Sequence, residues 1–576
     1  MPGVRLALAQ TNPVVGAFEE NSDVIVDYTR RAAESGADLV MFGEMALSGY
    51  PIEDLATRPG FLRHSREMLH RLGARLEEEG LGDIVVVVGF PDGPFEPRKD
   101  GTASAPSAIA QNCAGVLHGG ELVARQAKFH LPNYSVFDEY RNFIPGDELT
   151  VLRLGDVDIA IAVCEDIWRD GGPVSRVSSA DAGILVVINA SPYERDKDEV
   201  RLPLVRKRAV ETDTVVAYVN LVGGQDDLVF DGDSVVVDQA GRILARAPQF
   251  EEHLLLVDVQ AADVTPPTYS EGITRVELPR RHVGRAPIAE DIAILPDDRE
   301  QIWNALVLGL RDYVEKNRFR SVILGLSGGI DSSVCAAIAA DALGPDRVYG
   351  VSMPSRYSSD HSRSDADDLA ERIGLHYRTE AIADLVTPFE DQLHFEALAA
   401  ENLQARVRGI ILMGLSNAEG HLVLTTGNKT ELAVGYSTIY GDSAGGFAPI
   451  KDVPKMLVWE LARWRNEHAA DRGETPPIPD NAIEKPPSAE LRPDQTDQDS
   501  LPPYEVLDAI LDAFIGQRFG PEDIAGLGFD PKLVEDVIKL VDRSEWKRRQ
   551  GAIGPKISQM AFGRDRRLPI TYRHSQ

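Results

Sequence analysis

A short apolar run followed by a glycine-rich turn is the feature that most limits how this chain can fold. Residues 321–326 have the length and the partly β-branched composition of one buried strand. The Ser-Gly-Gly sequence at 327–329 interrupts that pattern, and Asp and Ser residues at 331–333 are typical of a helix start. Residues 334–343 are alanine-rich and are followed by a Gly-Pro pair, as at a helix end. The segment therefore predicts a strand, a tight turn and a helix.

The predicted turn has the properties of an anion-binding loop. Adjacent glycines let the backbone approach a ligand closely, and the free N–H groups at a helix start favour anions. It is not a Walker loop, because no lysine follows the glycines and Asp331 lies within it. A carboxylate beside phosphates is explained if it binds Mg²⁺, which prefers oxygen ligands. The alternative, a plain Gly-Gly turn before a capped helix, accounts poorly for seven consecutive residues, Ser-Gly-Gly-Ile-Asp-Ser-Ser. These resemble the pyrophosphatase loop of the ATP-pyrophosphatase group, which cleaves ATP between its α and β phosphates.

Composition bounds the class of protein. The chain has 576 residues, more than one hydrophobic core normally supports, so we expect at least two domains. A net charge of −31 argues against nucleic acid and anionic membranes as partners. Three cysteines cannot form a disulfide framework, and no apolar run is long enough to span a membrane. Together these features favour a cytoplasmic protein with reduced thiols.

The first half of the chain predicts an α/β domain with a large mixed sheet or a pair of sheets. Its strand-like runs lie at 4–9, 38–42, 84–89, 108–113, 157–163, 184–188, 215–220 and 234–238. Helical patterns lie near 22–33, 62–79 and 199–211.

Three residues with catalytic potential follow strand-like runs in this half. Glu44 follows the run at 38–43, Lys128 the run at 122–127, and Cys164 the run at 157–163. Sites in α/β proteins collect at strand ends. A thiol becomes a nucleophile if a base such as Glu44 removes its proton, and Lys128 could stabilise the resulting oxyanion. Taken singly, each would more often be a core cysteine or a surface charge.

The sequence motifs around these residues resemble those of the nitrilase, or carbon–nitrogen hydrolase, superfamily. They are Gly-Glu-Met-Ala-Leu-Ser-Gly-Tyr-Pro at 43–51, Lys-Phe-His-Leu-Pro-Asn-Tyr at 128–134 and Cys-Glu-Asp-Ile-Trp at 164–168. The resemblance covers about the first 260 residues. It implies an αββα sandwich, a Glu44–Lys128–Cys164 triad, and ammonia release through a thioester. In the glutamine-using branch it further implies that Tyr134, Ser191 and Lys197 bind glutamine. It also places Glu139 beside the triad, either as a second glutamate of the site or as a residue that only orients Lys128.

The second half alternates strands and helices, which indicates a doubly wound parallel sheet. A linker punctuated by prolines precedes it, and its arginines are expected to dock on an acidic face of the protein. An amphipathic helix is predicted at 298–317, a second strand at 347–353, and further helices at 360–373, 505–514 and 532–541. We therefore expect domains at 1–260 and 298–576, joined by the linker 261–297.

Over its whole length the chain resembles the glutamine-dependent NAD⁺ synthetase family. Further motifs carry this resemblance: Thr-Thr-Gly-Asn-Lys-Thr-Glu at 425–431, Gly-Tyr-Ser-Thr-Ile-Tyr-Gly-Asp at 435–442 and Pro-Ile-Lys-Asp-Val-Pro-Lys at 449–455. The resemblance implies that nicotinic acid adenine dinucleotide (deamido-NAD) is adenylated by ATP and that ammonia from glutamine then displaces AMP. The family also passes ammonia through an internal tunnel and forms homo-oligomers.

The same resemblance assigns the residues of the second site. Asp331 and Glu431 are expected to hold Mg²⁺, and Lys455 to contact phosphate. The residues implied to bind deamido-NAD are Asn402, Glu431 and Lys547. Those implied to bind ATP are Gly325, Leu326, Ser327, Gly328, Gly329, Ile330, Asp331, Ser332 and Thr426. The Pro-, Asp- and Ser-rich segment 480–503 is expected to be either a disordered surface loop or a mobile segment that covers this site.

Two other classes of function compete with this interpretation. Asparagine synthetases and GMP synthetases belong to the same ATP group. The former use an N-terminal cysteine, whereas Pro2 follows Met1 here; the latter use a Gly-x-Cys-x-Gly elbow, whereas Cys164 lies between Val163 and Glu165. The other class is a non-catalytic nucleotide-binding scaffold, against which the intact triad and acidic residues argue.

Overall fold

The computed structural model describes residues 3–96, 108–261, 271–281, 285–493 and 495–571. The chain divides into two compact units. The first runs up to Gly223 and resumes at Phe230–Pro296, and the second comprises Gly224–Val229 and the chain from Asp297 on.

Two mixed sheets form the framework of the first unit. The six-stranded sheet has the order β14-β1-β2-β3-β4-β5, and the seven-stranded sheet has the order β13-β12-β9-β8-β7-β6-β15. Parallel pairs, β1 with β2 and β7 with β8, lie at the centre of each sheet, while antiparallel hairpins and added strands extend the sides. The strands up to residue 278 are β1 (Gly3–Gln10), β2 (Leu39–Phe42), β3 (Val85–Asp92), β4 (Gln111–His118), β5 (Glu121–Ala127), β6 (Leu149–Leu154), β7 (Val157–Val163), β8 (Ile184–Asn189), β9 (Val215–Asn220), β10 (Val222–Gln225), β11 (Leu228–Asp231), β12 (Val235–Val237), β13 (Ile243–Arg246), β14 (His253–Gln260) and β15 (Ile273–Leu278).

The two sheets pack face to face with helices outside, which is the expected αββα sandwich. Apolar side chains from both sheets form one buried cluster, to which Leu6 and Met41 contribute from one sheet and Ile161 and Val186 from the other. A second cluster packs the outer face of the seven-stranded sheet against helices, through Val187 and Val205. The helices of this unit are α1 (Phe18–Glu34), α2 (Pro59–Glu78), α3 (Glu139–Asn142), α4 (Val174–Val177) and α5 (Asp198–Thr212).

Most of the elements predicted for the first unit are present, with three differences. The strand predicted at 108–113 begins only at Gln111 and continues to His118, because the apolar residues before it lie in a buried loop. Strands β6, β10, β11 and β14 were not predicted. The linker was expected to lack regular structure, yet it contains β15, which pairs in parallel with β6. Its half-exposed, mixed sequence gives no strong strand pattern.

The arginines of the linker bind acidic residues of the first unit, as expected. The Arg280 and Arg285 guanidinium groups both contact the buried carboxylate of Asp38, and Arg281 Nε lies 2.9 Å from Asp83 Oδ2. Pro266 and Pro267, which were part of the linker prediction, lie outside the described residues.

The second unit contains a four-stranded, fully parallel sheet of order β18-β17-β16-β19. Its strands are β16 (Val322–Gly325), β17 (Val348–Ser352), β18 (His376–Thr379) and β19 (Leu422–Leu424). Its helices are α6 (Asp298–Lys316), α7 (Ile330–Leu343), α8 (Asp360–Ile373), α9 (Ala383–Leu393), α10 (Leu398–Glu419), α11 (Lys429–Val434), α12 (Lys455–Asp471), α13 (Asp480–Glu484), α14 (Tyr504–Leu511), α15 (Pro521–Gly526), α16 (Pro531–Arg543) and α17 (Glu545–Arg548).

The predicted doubly wound arrangement is confirmed, with β16 at the centre of the sheet between β17 and β19. Helix α7 begins at Ile330, four residues earlier than the alanine-rich run suggested, so Asp331 lies in the first helical turn and not in a loop. Helix α14 continues into a π-helical turn, Asp512–Gly516. The part of segment 480–503 that the structure describes includes α13 and the buried residues Ile483 and Leu501.

Across the described ranges, none of the helices combines the length and the apolar character that crossing a membrane requires.

Candidate active sites

Glu44 and Lys128 form a buried ionic cluster with Glu139. Lys128 Nζ lies 2.7 Å from Glu44 Oε1 and 2.8 Å from Glu139 Oε2, and the side chains of Lys128 and Glu44 are fully buried. Asn112 Nδ2 donates to Glu44 Oε1 at 2.6 Å, and the backbone N–H of Ala190 donates to Glu44 Oε2 at 3.0 Å. Both oxygens of Glu44 are thus occupied, which compensates for burying its charge.

A glycine on the neighbouring strand allows the backbone that carries Glu44 to pack tightly. Gly89 on β3 contacts the backbone at 43–45, and a Cβ at this position would lie 2.1 Å from the backbone nitrogen of Met45. Only glycine fits that approach, so β3 fixes the backbone that carries Glu44.

Cys164 lies at the end of β7, where the chain enters the 3₁₀ turn Cys164–Ile167. Its φ is 44°, a left-handed value that residues with a Cβ rarely adopt, and its side chain is buried. Burial raises the pKa of the thiol well above its ordinary value and Glu44 raises it further, whereas Lys128 lowers it. The resting thiol is therefore protonated, and a base must remove its proton before it can attack an electrophile.

The charge balance of the cluster depends on Glu139. Burial, partly offset by Lys128, raises the pKa of Glu139 to about 7, and its Oε1 accepts a hydrogen bond from Tyr50 Oη at 2.9 Å. Burial alone lowers the pKa of Lys128, but Glu139 and Glu44 outweigh it and raise that pKa well above its usual value. Lys128 is therefore a permanent cation.

The three residues expected to bind glutamine contact, or adjoin in the chain, residues that neighbour Cys164 or bind Glu44. Tyr134 is 44% exposed, and its hydroxyl donates to Glu165 Oε2 at 2.8 Å. The buried Ser191 follows Ala190, whose N–H binds Glu44. Lys197 Nζ lies 5.2 Å from the ring centroid of Trp168, at the end of the motif that begins with Cys164.

The glycine-rich loop of the second unit joins β16 to α7 as predicted. Gly328 has φ +73°, and a Cβ there would lie 2.2 Å from the backbone oxygen of Ser362, so the loop approaches α8 more closely than any other residue would allow. Ser327 Oγ accepts from the N–H of Gly329 at 3.2 Å and lies 3.2 Å from Ser332 Oγ. These bonds fix the curvature of the loop at the start of α7.

Asp331 and Glu431 share one buried lysine. Lys455 Nζ contacts Asp331 Oδ2 and lies 3.7 Å from Glu431 Oε1. Burial and the neighbouring charge of Asp331 raise the pKa of Glu431 to about 8. Asn428 Nδ2 donates to Asp331 Oδ1 at 2.9 Å, so the segment after β19 reaches the helix start after β16.

These groups face a cavity of about 330 Å³ in the second unit. Of the residues expected to bind ATP, all but Gly328 line it: Gly325, Leu326, Ser327, Gly329, Ile330, Asp331, Ser332 and Thr426. Segment 480–503 contributes Lys485, Glu490 and Asp497 to the lining. Glu490 Oε1 accepts from Ser362 Oγ at 2.6 Å, which ties that segment to α8.

Asn402 and Lys547 lie next to this cavity and not in its lining. Both hold the loop 435–442: Lys547 Nζ donates to the backbone oxygens of Gly435 and Ser437 at 2.8 and 2.7 Å, and Asn402 Oδ1 accepts from Thr438 Oγ1 at 2.8 Å. Tyr436, Ser437, Gly441 and Asp442 of that loop line the cavity.

Comparison with known proteins decides the family. A carbon–nitrogen hydrolase family model matches residues 5–268, and an NAD synthase family model matches residues 302–551. The chain is 42% identical over 594 residues to the glutamine-dependent NAD(+) synthetase of Thermotoga maritima, covering all of both chains. It is 42% identical over 576 residues to that of Acinetobacter baylyi, covering 99% of this chain and 98% of that protein. The chain belongs to the glutamine-dependent NAD(+) synthetase family.

A solved structure of the same family supports the assignment. The glutamine-dependent NAD(+) synthetase of Acinetobacter baumannii, solved in complex with ADP, is 40% identical, with a TM-score of 0.72 and coverage of 99% of this chain and 98% of that one. As a member of the glutamine-dependent NAD(+) synthetase family, the chain is a ligase of NAD biosynthesis that takes its amide nitrogen from glutamine.

Sequence reasoning about this NAD(+) synthetase family member missed several residues of the sites. Asn112 holds Glu44, and the buried Glu165 accepts from Tyr134. Arg408 lines the cavity of the second unit, where burial lowers its pKa to about 10. The role of Arg408 could not be predicted from the sequence, because nothing in the local pattern shows which face of α10 meets the cavity.

The donor set of the second site fits Mg²⁺. Among the residues that the structure describes, no group of three or more His, Cys, Asp or Glu is arranged to hold a metal ion. Asp331 and Glu431 are two cavity carboxylates that already bind a common cation, the Lys455 ammonium. Mg²⁺ is commonly held by one or two carboxylates together with substrate phosphates, and the glycine-rich loop lies beside them.

Proposed function

We propose that the chain amidates deamido-NAD to NAD⁺ with ATP and glutamine, and that the two sites described above divide the work. The observation that carries this proposal is the presence, in one chain of this family, of a buried Glu44–Lys128 pair whose charges both act on Cys164, and of a glycine-rich loop beside the paired carboxylates of Asp331 and Glu431. Residues 1–260 carry the glutaminase, residues 298–576 carry the synthetase, and residues 261–297 connect them.

Ammonia is released at the first site through a thioester. Glu44 takes the proton of the Cys164 thiol, and the thiolate attacks the side-chain amide carbon of glutamine. Lys128 stabilises the negative oxygen of the tetrahedral intermediate. Glu44 then returns the proton to the departing nitrogen, the carbon–nitrogen bond breaks, and water hydrolyses the thioester to glutamate. The raised pKa of the thiol and the permanent charge of Lys128 support these roles.

Tyr134, Ser191 and Lys197 hold the glutamine substrate. Lys197 provides a cation for the α-carboxylate, and the hydroxyls of Tyr134 and Ser191 provide polar contacts for the amino acid end. Their placement supports this. Tyr134 binds Glu165, which follows Cys164, and Lys197 lies over the ring of Trp168 in the same motif. Ser191 follows Ala190, whose N–H binds Glu44.

ATP activates the carboxylate of deamido-NAD at the second site. The loop Gly325 to Ser332 and Thr426 hold the nucleotide, with backbone N–H groups at the start of α7 directed at phosphates. The carboxylate oxygen attacks the α-phosphorus, pyrophosphate leaves, and an adenylate forms. Ammonia then attacks the activated carbonyl carbon, AMP leaves, and the amide of NAD⁺ remains. The ADP complex of the Acinetobacter baumannii relative supports a nucleotide site in this fold.

Asp331 and Glu431 would hold Mg²⁺ in this site. When bound, the ion neutralises charge on the phosphates. Lys455 adds a second positive charge, and it is kept in place by the rings of Trp459 and Tyr504, each 5.4 Å from its ammonium.

Asn402, Glu431 and Lys547 contact deamido-NAD. The bonds from Asn402 and Lys547 to loop 435–442 support this, because residues of that loop line the cavity. Burial lowers the pKa of Lys547, as expected for a cation whose charge is only partly satisfied before an anionic ligand binds.

The chain forms a homo-oligomer in the cytoplasm. Large apolar side chains are exposed on α9 and the neighbouring α10, including Leu385, Phe389, Leu393 and Ile410. Contiguous exposed apolar side chains mark association surfaces. Light scattering coupled to size-exclusion chromatography tests this: a mass above 63.0 kDa supports it, and a mass of one chain contradicts it.

The reaction is tested by its products. The protein is incubated with ATP, Mg²⁺, deamido-NAD and glutamine, and NAD⁺, AMP, pyrophosphate and glutamate are measured. Formation of all four, with AMP and NAD⁺ in equal amounts, is expected. ATP binding without AMP or pyrophosphate would indicate a non-catalytic scaffold, and AMP formation only with another carboxylate acceptor would indicate a different amidotransferase.

A further inference from the structure

One buried carboxylate links the two chain segments that carry Lys128 and Cys164. Asp166 is fully buried and lies two residues after Cys164 in the 3₁₀ turn. Its Oδ1 accepts from the backbone N–H of Phe129 at 3.0 Å and of His130 at 2.8 Å. Its Oδ2 accepts from the N–H of Val163 at 3.2 Å. The donors are thus the two residues after Lys128 and the residue before Cys164.

Two buried acidic side chains tie these segments to each other: Asp166 through the three backbone bonds above, and Glu165 through its bond from Tyr134 Oη at 2.8 Å. The Lys128 N–H donates to the Asn112 oxygen at 2.8 Å, and the Lys128 oxygen accepts from the N–H of Gly146 at 2.8 Å. On the far side of the turn, the Ile167 oxygen accepts from Arg208 Nε at 2.6 Å. Each segment is also anchored to its own surroundings, and of the two ties Asp166 is the one that binds the backbone of both segments.

The backbone of Cys164 needs such a restraint. A residue with a Cβ pays a conformational cost at φ 44°, and that conformation persists only where surrounding contacts fix it. Asp166 accepts a hydrogen bond from the N–H of Val163, the residue immediately before Cys164. This bond restrains the ψ of Val163 and therefore the direction in which the Cys164 side chain points at the end of β7.

A carboxylate suits this position better than an amide does. Burial raises the pKa of Asp166 to about 7, while the three backbone donors and the charge of Lys128 lower it. Three donors require acceptors on both side-chain oxygens. An asparagine can accept hydrogen bonds only at its single side-chain oxygen. Its NH₂ group would then face either the N–H groups of Phe129 and His130 or that of Val163, and two donors facing each other cannot form a hydrogen bond.

We propose that Asp166 is a positioning residue of the glutaminase reaction, which holds Cys164 in its left-handed conformation and at a fixed distance from Lys128. The proposal rests on the roles proposed above for Cys164 and Lys128. It predicts that loss of one acceptor displaces the thiol relative to the ammonium without touching the groups that bind glutamine. A displacement of about 1 Å can lower a rate by about 10²-fold.

The test uses the full-length protein with Asp166→Asn. We expect kcat for glutamine hydrolysis to fall by about 10- to 100-fold, with KM for glutamine changing by less than about threefold. Alkylation of Cys164 by a diazoketone analogue of glutamine should slow by a similar factor across the pH profile. NAD⁺ synthesis from ammonium should remain at the wild-type rate, which shows that the variant is folded.

Asp158→Asn is the matched control. Asp158 is also a buried aspartate, on strand β7, which leads into the turn that carries Asp166, but it binds Arg153 at 2.8 Å and Arg275 at 2.6 Å. It should leave kcat with glutamine unchanged. Asp166→Glu, which keeps the charge but moves its oxygens, should also lower kcat and replaces Asp166→Asn if that variant does not fold.

The proposal is overturned if Asp166→Asn keeps the wild-type kcat and alkylation rate, or if Asp158→Asn lowers both to the same extent. Loss of activity with ammonium as well as glutamine in both Asp166→Asn and Asp166→Glu would also overturn it, because the effect would then be one of overall folding. The wild-type protein and Cys164→Ala, assayed alongside, test the glutaminase assignment itself, so its failure is distinguished from failure of the positioning role.

Discussion

Both candidate sites contain a buried lysine that binds two carboxylates. These two lysine–carboxylate groups, called below the closed triad (Lys128, Glu44 and Glu139) and the open triad (Lys455, Asp331 and Glu431), differ in what surrounds them. In the first unit, Lys128 binds Glu44 and Glu139, whose side chains are 0% and 4% exposed. In the second, Lys455 binds Asp331 and Glu431, each 18% exposed, and both face a cavity of about 330 Å³. The closed triad is complete as it stands, whereas the open triad can exchange partners with a ligand.

The difference follows from the chemistry of each site. Covalent catalysis on a small amide needs a fixed set of charges around the nucleophile, and water excluded from it strengthens those charges. A nucleotide brings its own charges, so its site needs carboxylates and a cation that can turn from each other to a metal ion and phosphates. We therefore propose that Lys455 serves as a counter-charge for the two carboxylates until those partners bind.

Removing the lysine of the closed triad should have the largest effect. Lys128→Met leaves Glu44 buried without its cation and removes the charge that stabilises the oxyanion, so glutamine-dependent NAD⁺ synthesis should fall by about 10³-fold or more. Since Lys128 lowers the pKa of Cys164, the pH profile of Cys164 alkylation should shift to higher pH. Steady-state assays and alkylation rates measure both.

Lys207→Met is the control, because Lys207 is 55% exposed and pairs with Glu211 on the surface of α5. It should behave as wild type. Undiminished alkylation of Cys164 in Lys128→Met would remove Lys128 from its proposed role.

Asp331→Asn should affect the open triad without affecting the closed one. Losing one of the two carboxylates should lower NAD⁺ synthesis by about 10²-fold with either glutamine or ammonium, because both routes need the adenylate. Glutamine hydrolysis should survive. Pyrophosphate release and glutamate formation, measured on the same samples, separate the two. Equal loss of both activities would mean that the sites are not chemically independent.

These sites differ in how far the sequence alone could predict them. Glu44, Lys128 and Cys164 each follow a recognisable apolar strand, so their positions at strand ends could be predicted, as could the loop between β16 and α7. The partners of Asp166 could not, because its bonds to Phe129 and His130 span 37 and 36 residues and leave no local pattern. Strand β15 was missed for a related reason: it is stabilised by pairing with β6, not by its own sequence.

Glu139→Gln should change the closed triad only moderately. Lys128 keeps Glu44, so kcat with glutamine should fall by about tenfold. Glu139 raises the pKa of Cys164, and its carboxylate also neutralises Lys128, so its removal should shift the pH profile of alkylation to lower pH. This is the direction opposite to that expected for Lys128→Met. A shift of both variants in the same direction would contradict the charge balance described here.

The smallest expected effect is a change in melting temperature on adding Mg²⁺, which compares the access of the ion to the two triads. In Lys455→Met, the paired carboxylates still face the cavity and can take up Mg²⁺, so added Mg²⁺ should raise the melting temperature by a few degrees. In Lys128→Met, the buried carboxylates are closed to the ion, and Mg²⁺ should give no rise beyond that of wild type. Calorimetry of both variants with and without Mg²⁺ checks this. Equal responses would mean that the triads do not differ in access.

The division of labour between the two sites is the central claim, and Cys164→Ala tests it most directly. NAD⁺ formation is followed with ATP, Mg²⁺ and deamido-NAD, once with glutamine and once with ammonium, for the wild type and this variant. We predict NAD⁺ from both nitrogen sources in the wild type, and from ammonium alone in Cys164→Ala. Loss of both routes in the variant, with the protein still folded and binding ATP, would contradict the claim that ammonia release and amide formation occur at separate sites.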